Sequence, residues 1–188
     1  TKVSSLDGRA VVTADGRRVD ARAVIVAADL PSARELVTMR ERASRRAGAV
    51  YFSADKAPTA SRAVFLDGSG KGPVLNAAIM SNVAQSYAPA GKHLVVAAMP
   101  DVVDGDLESM ARDQMRSWWG PQVDAWRHLR TYRIAHAGVE QRPPFSPKRD
   151  IALGNGVFVC GDHRDTGSLQ GALFSGRRCG EMVAGALA

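Results

Sequence analysis

Cysteine is nearly absent from this chain of 188 residues, which has two, and histidine is sparse, with four. Cys160 and Cys179 fit neither a C-x-x-C redox pair nor a zinc-ligand spacing, so two buried free thiols in a reducing, cytoplasmic setting are expected. His93, His128 and His136 are dispersed along the chain, and no metal site is expected. No stretch approaches the ~20 consecutive apolar residues of a membrane span, and Thr1, Lys2 and Val3 open no basic segment followed by an apolar core. A G-x-S-x-G elbow is missing too, and no grouping of Ser, His and Asp points to nucleophilic hydrolysis. Internal repeats and low-complexity segments are absent.

What remains is a globular composition, 45% hydrophobic and 23% charged, enough for one domain or two small ones. The formal net charge is +6, but the basic residues are scattered except for Arg40, Arg42, Arg45 and Arg46. With Glu41 inside that cluster, a solvated helix face is expected in preference to a nucleic-acid footprint, and no nucleic-acid partner is expected.

Residues 3–6, 10–13 and 23–28 read as short strands, because Asp7-Gly8 and Asp15-Gly16 are turn pairs flanked by apolar and β-branched residues. The third of these, Ala23-Val24-Ile25-Val26-Ala27-Ala28, is apolar without alternation, which predicts burial on both faces. Asp29-Leu30-Pro31-Ser32 then starts a helix to about Met39. Residues 49–99 hold four further strands, at 50–52, 63–66, 74–80 and 93–99, forming a mainly antiparallel block. Within it, Gly68-Ser69-Gly70-Lys71-Gly72-Pro73 has the composition of a phosphate loop. Pro73 stands where the last Gly belongs and no Ser or Thr follows a Gly-Lys pair, so the segment reads as a hairpin turn.

From 104 to 119, Leu107, Met110, Ala111, Met115, Trp118 and Trp119 recur at helical spacing, and Gly120-Pro121 ends the helix. Trp118, Trp119 and Trp126, with Met110 and Met115, form an aromatic and thioether stripe, read as core packing, with the lining of an apolar substrate site as the alternative. A helical turn at 123–129 and a strand at 130–136 lead into a connector, Arg142-Pro143-Pro144-Phe145-Ser146-Pro147, kept extended by its prolines.

The last segment is the most informative. Gly156-Val157-Phe158-Val159-Cys160-Gly161-Asp162 reads as a buried strand ending in Gly-Asp. A loop of His163, Arg164, Asp165, Thr166 and Gly167 follows, in which Arg164 and Asp165 are expected to pair. Ser168 then begins a helix with small residues at Gly171, Ala172, Ser175, Gly176 and Gly180. The helix N-terminus favours electron-rich ligand atoms, small side chains admit a flat ligand or another backbone, and Asp162 suits an acceptor for sugar hydroxyls. A glycine-rich helix packed on a sheet with nothing bound is the plain alternative.

The strand, the Gly-Asp and the segment Gly167-Ser168-Leu169-Gln170-Gly171-Ala172-Leu173-Phe174-Ser175-Gly176-Arg177-Arg178 resemble the C-terminal FAD-binding motif of the flavin amine oxidase, phytoene desaturase and protoporphyrinogen oxidase superfamily. Residues 10–38 look like the middle of that superfamily's FAD domain. The resemblance implies an α/β fold: an incomplete, Rossmann-like FAD/NAD(P)-binding domain from 1–45 and 145–188, with an α+β substrate domain on a mainly antiparallel sheet inserted over 46–144. It implies FAD as cofactor, held by Gly161, Asp162, Ser168, Leu169, Gly171 and Ala172, with Val3 beside the adenine and His163 as the candidate for tuning the flavin or touching substrate.

The implied reaction is hydride transfer to flavin from a C–N or C–C bond of a small apolar or amine substrate. The strand, G-x-G-x-x-G and helix that open dinucleotide binding in this fold are missing. The chain is therefore expected to be the C-terminal portion of a larger flavoprotein, retaining little FAD alone and pairing with a dinucleotide-binding half or with itself through an uncovered face. The alternative is a noncatalytic binding or assembly module, or a split-enzyme subunit, that keeps the flavoprotein architecture.

Overall fold

Two hairpins open the chain in the computed structural model, which describes residues 1–39 and 43–188. Strand β1 (Val3–Asp7) pairs antiparallel with β2 (Ala10–Thr13) across the Asp7-Gly8 turn, and β2 pairs with β3 (Arg18–Asp20) across Asp15-Gly16. The strand at 18–20 is one the apolar pattern does not show, since all three of its residues are exposed; ladder pairing and the ion pairs of Arg18 with Asp7 and Asp20 hold it. Next, β4 (Val24–Val26) runs into α1 (Leu30–Leu36), whose cap Asp29 accepts a hydrogen bond from the Ser32 N–H at 3.0 Å.

The middle of the chain forms a five-stranded sheet in the order β6-β7-β8-β5-β9. Its strands are β5 (Ser44–Ala54), β6 (Phe65–Leu66), β7 (Asn76–Ile79), β8 (His93–Pro100) and β9 (Arg127–Val139). Short helix α2 (Met80–Val83) links β7 to β8, and α3 (Leu107–Trp119) precedes a 3-10 turn at Pro121–Ala125. Strand β9 is thus longer than the 130–136 segment expected. Alternate residues of β5, namely Val50, Phe52 and Ala54, turn to one face and are buried with Leu107, Ala111 and Met115 of α3. Trp126 joins this core, and Trp118 and Trp119 pack against it. Their rings meet at 5.4 to 6.0 Å in edge and tilted pairs with Phe65 and Phe52. The stripe therefore packs a core, as periodicity predicts; Met110 alone of its members faces outward.

The chain closes with β10 (Ala152–Gly154), β11 (Val157–Val159), a 3-10 turn at Asp162–Arg164 and α4 (Leu169–Leu187). Strand β11 pairs antiparallel with β10 and parallel with β4, through Val157↔Val24, Phe158↔Ile25 and Val159↔Val26. The architecture is mixed α/β with mainly antiparallel sheets. Compact units comprise Thr1–Ser44 with Gly138–Ala188, and Arg45–Ala137.

Three expectations are corrected. Strand β4 is not buried on both faces: Val24 and Val26 are covered but Ile25 is 44% exposed, because β4 is an edge strand and its Ile25 face is uncovered among the described residues. Of the basic cluster, Arg40, Glu41 and Arg42 lie outside the described residues. Arg45 and Arg46 stand on β5, not on a helix, where Arg45 pairs with Asp101 and Arg46 with Asp104 at 3.2 Å. Helix α1 ends at Leu36, short of Met39, with Val37 extended at its C-cap.

Candidate functional site

The candidate site is built where β11 ends. Gly161 has φ 148° and ψ 172°, and an added Cβ would lie 2.4 Å from Cε1 of His163 and 3.5 Å from the Ala28 carbonyl beyond β4. Glycine is needed here both for the dihedral and for the close approach. The backbone is pinned from α4: the Gly161 N–H donates to Ser175 Oγ at 2.9 Å, and Ser175 Oγ lies 2.7 Å from the Gly161 carbonyl. Ser175 is fully buried on the inner face of α4 with Gly171 and Cys179. Sequence reading noticed Ser175 only as a small residue; its signal was a hydroxyl on a helix face otherwise lined by Gly and Cys.

Asp162 follows with its side chain one-third exposed, and its Oδ1 lies 3.7 Å from Nδ1 of His163. His163 itself is 1% exposed, its ring packed beside Gly161 and on the wall of a groove of about 820 Å3. Arg164 does not form the expected pair with Asp165. Arg164 donates instead to the Asp150 carbonyl, while the buried Asp165 carboxylate accepts from the Thr166 N–H at 2.9 Å. A backbone carbonyl at the connector captures the guanidinium that a neighbouring carboxylate was expected to hold.

At the N-terminus of α4, Ser168 Oγ accepts from the Gly171 N–H at 3.0 Å. In a helix the first N–H groups have no intrahelical acceptor, which leaves those of Leu169 and Gln170 pointing out of the first turn. A Cβ on Gly171 would meet the Thr166 carbonyl at 2.0 Å, so the space that this glycine leaves is filled by the loop backbone. Around Gly176 and Gly180 there is open space. Ala172 is half-buried, and Leu169, Leu173 and Phe174 are 81%, 67% and 52% exposed. Val3 stands apart from these residues in the first hairpin, paired with Thr13. The structure thus gathers Gly161, Asp162, His163 and the α4 N-terminus along one loop and leaves Val3 in a separate sheet.

Beneath the site, Cys160 and Cys179 are free, buried and adjacent. Burial, and then the neighbouring Cys160, push the Cys179 thiol up to about 11. Among the described residues no cluster of His, Cys, Asp or Glu fits a metal ion, and no helix is long and apolar enough to cross a membrane.

The profile of the flavin containing amine oxidoreductases matches residues 1–183. The chain belongs to this family. Solved structures agree with it in fold. The PF1083 protein from Pyrococcus furiosus superposes with a TM-score of 0.66 at 11% identity, over 97% of this chain and 46% of that one. Iminodiacetate oxidase from Chelativorans sp. BNC1 gives 0.58 at 17%, over 98% and 48%. Reduced UDP-galactopyranose mutase gives 0.59 at 11%, over 85% and 39%. This amine oxidoreductase chain spans about half the length of those it matches, or less. No curated protein matches it.

Proposed function

We propose that this chain is the C-terminal portion of an FAD-dependent oxidoreductase that oxidises a C–N or C–C bond of a small apolar or amine substrate. The carrying observation is the Gly161-Asp162 turn at the end of a parallel strand, fixed by Ser175 and followed by the open N-terminal turn of α4. In this reading Thr1–Ser44 with Gly138–Ala188 is the partial, Rossmann-like FAD-binding domain, and Arg45–Ala137 the inserted substrate domain.

These residues fit a flavin. Asp162 offers a partly exposed carboxylate to sugar hydroxyls, and Leu169 offers a backbone N–H to an electron-rich ring edge, positioned by the Ser168 cap. Gly161 keeps the approach low, Ala172 gives clearance beside it, and Gly171 sets how closely the loop and helix pack. His163, behind Gly161 and 3.7 Å from Asp162 on the groove wall, is the candidate for tuning the flavin or touching substrate. Val3 is the candidate beside adenine. When bound, flavin supplies the hydride acceptor; this chain's part is to hold it, orient it and shield it from water.

Dinucleotide binding in such folds also needs a glycine-rich strand-to-helix turn that cradles the pyrophosphate, supplied by a partner half on the same or another chain. The exposed Leu169, Leu173 and Phe174 favour such assembly, and also support a second reading as a noncatalytic assembly module.

Visible absorption after mixing with FAD and desalting tests this. Little flavin is expected on the chain alone, and stoichiometric flavin once the glycine-rich half is present, reduced by Asp162→Ala. Flavin absent from both preparations would sink the oxidoreductase reading and leave the assembly module.

A further inference from the structure

Positive charge gathers in the unit of Thr1–Ser44 and Gly138–Ala188, where the connector before β10 meets the loop after β11. Arg178, on α4, donates through Nη2 to the Arg149 carbonyl at 3.0 Å, and the same nitrogen lies 3.4 Å from the Arg164 carbonyl. Arg164 donates to the Asp150 carbonyl and reaches the Met39 sulfur at 3.9 Å. Arg149 donates its Nε to the Ser146 carbonyl at 3.1 Å and its backbone N–H to the Arg164 carbonyl at 2.9 Å. Three guanidinium groups are thus drawn together by neutral backbone oxygens, not by carboxylates.

The arrangement is electrostatically unsatisfied. Burial, and after it the nearby Arg149 and Arg178, hold the Arg164 pKa below the usual arginine value, with Asp150 the opposing charge. The Nε atoms of Arg164 and Arg178 are buried without a hydrogen-bond acceptor. Each guanidinium carries five N–H donors, and the carbonyls engage only part of that capacity. Two grooves meet at the cluster: the one of about 820 Å3, which Arg142, Lys148, Arg149 and Arg164 also line, and one of about 300 Å3 that takes in Lys148, Arg149 and Arg178. The acids on the larger groove are Glu140, 3.4 Å from Arg142, and Asp150.

We propose that Arg149, Arg164 and Arg178, with Lys148, form a binding site for an oxyanion, a phosphate or carboxylate group of a small ligand. Planar guanidinium forks match the oxygen geometry of both groups and bind them in bidentate fashion. An oxyanion there supplies acceptors to open N–H donors and relieves the repulsion among three like charges.

Thermal unfolding of the whole chain in inorganic phosphate, and separately in succinate, against chloride at equal ionic strength tests the site. A ligand that binds only the folded state raises Tm with its concentration, so a rise with either anion beyond that in chloride is expected. A rise with phosphate alone assigns a phosphate ligand, and with succinate alone a carboxylate. Calorimetry should show Kd for the active anion raised about tenfold or more in Arg149→Gln, a substitution at a half-buried position. Lys148→Gln serves as a second variant if that one folds poorly. No rise over chloride, or an equal rise in the folded variants, overturns the proposal. Neither anion involves a flavin, so this failure and failure of the flavin reading are separate outcomes.

Discussion

At single residues, one buried hydroxyl does the positioning. Ser175 Oγ accepts from the Gly161 N–H and approaches the Gly161 and Ala172 carbonyls at 2.7 and 3.0 Å. Ser175→Ala leaves the half-buried Gly161 amide without its acceptor, which costs about 1 kcal/mol. Urea denaturation should show that loss, and an unchanged midpoint would mean that the contact carries no stability. The Cys179 thiol gives a pH prediction. Its ordinary pKa of 9.0 is raised to about 11 in the fold, so between those values the folded chain holds a proton that the unfolded chain has released. Stability from this source is complete below pH 9 and falls as pH rises through 11, by roughly 2–3 kcal/mol in all. Cys179→Ala should flatten the decline in denaturation midpoints measured from pH 8 to 11. The Gly-Asp turn was legible because an apolar run stops at two turn residues and a small-residue helix follows. The Ser175 contact was not, because its partner is backbone 14 positions away.

Among elements, the β6–β7 connection shows how a side chain replaces regular structure. Gln114 on α3 accepts from the Val74 N–H at 2.7 Å and donates to the Val74 carbonyl at 2.9 Å and to Asp67 Oδ2 at 2.6 Å. Gln114→Ala strips the fully buried Val74 of both partners, costing about 1–3 kcal/mol. Hydrogen exchange should accelerate at Val74 more than at Phe52, and equal protection at both would count against the clamp. Pro73 at the last Gly position, against a phosphate-loop composition, made this loop read as a hairpin turn, and β6 and β7 do pair across it. Helix α3 was equally legible through its 3.6-residue periodicity and the Gly120-Pro121 stop, and α4 through Ser168 and the small residues that follow it. Strands β3 and β10 were hidden because each is only three residues long, too short to show alternation between a buried and an open face. Ile25 misled for a related reason: apolar residues show what a strand can bury, and β4's place at a sheet edge decided what it does bury.

For the whole molecule, the burial pattern separates into cores that share no residue. Val50, Phe52, Ile79, Val95, Met99, Leu107, Met115 and Trp126 form one cluster lying wholly within Arg45–Ala137. Val26, Ala33 and Val159 form another, and Ile151, Phe158, Cys160 and Cys179 a third, both in the remaining unit. A segment that contains its own core has what autonomous folding requires, and Arg45–Ala137 also keeps its ion pairs Arg45–Asp101, Lys92–Asp55 and Arg116–Asp124. Its first and last strands, β5 and β9, are neighbours in the sheet, and the Glu140 N–H donates to the Ala43 carbonyl just beyond them, so excision leaves both ends side by side. The excised segment should therefore fold alone and unfold cooperatively. All three tryptophans of the chain, Trp118, Trp119 and Trp126, lie within it. Its near-ultraviolet circular dichroism should then retain the tryptophan bands of the whole chain, because the edge-on ring pairs that generate them are internal to the segment. A spectrum without fine structure and a noncooperative melt would mean that this core depends on residues outside it.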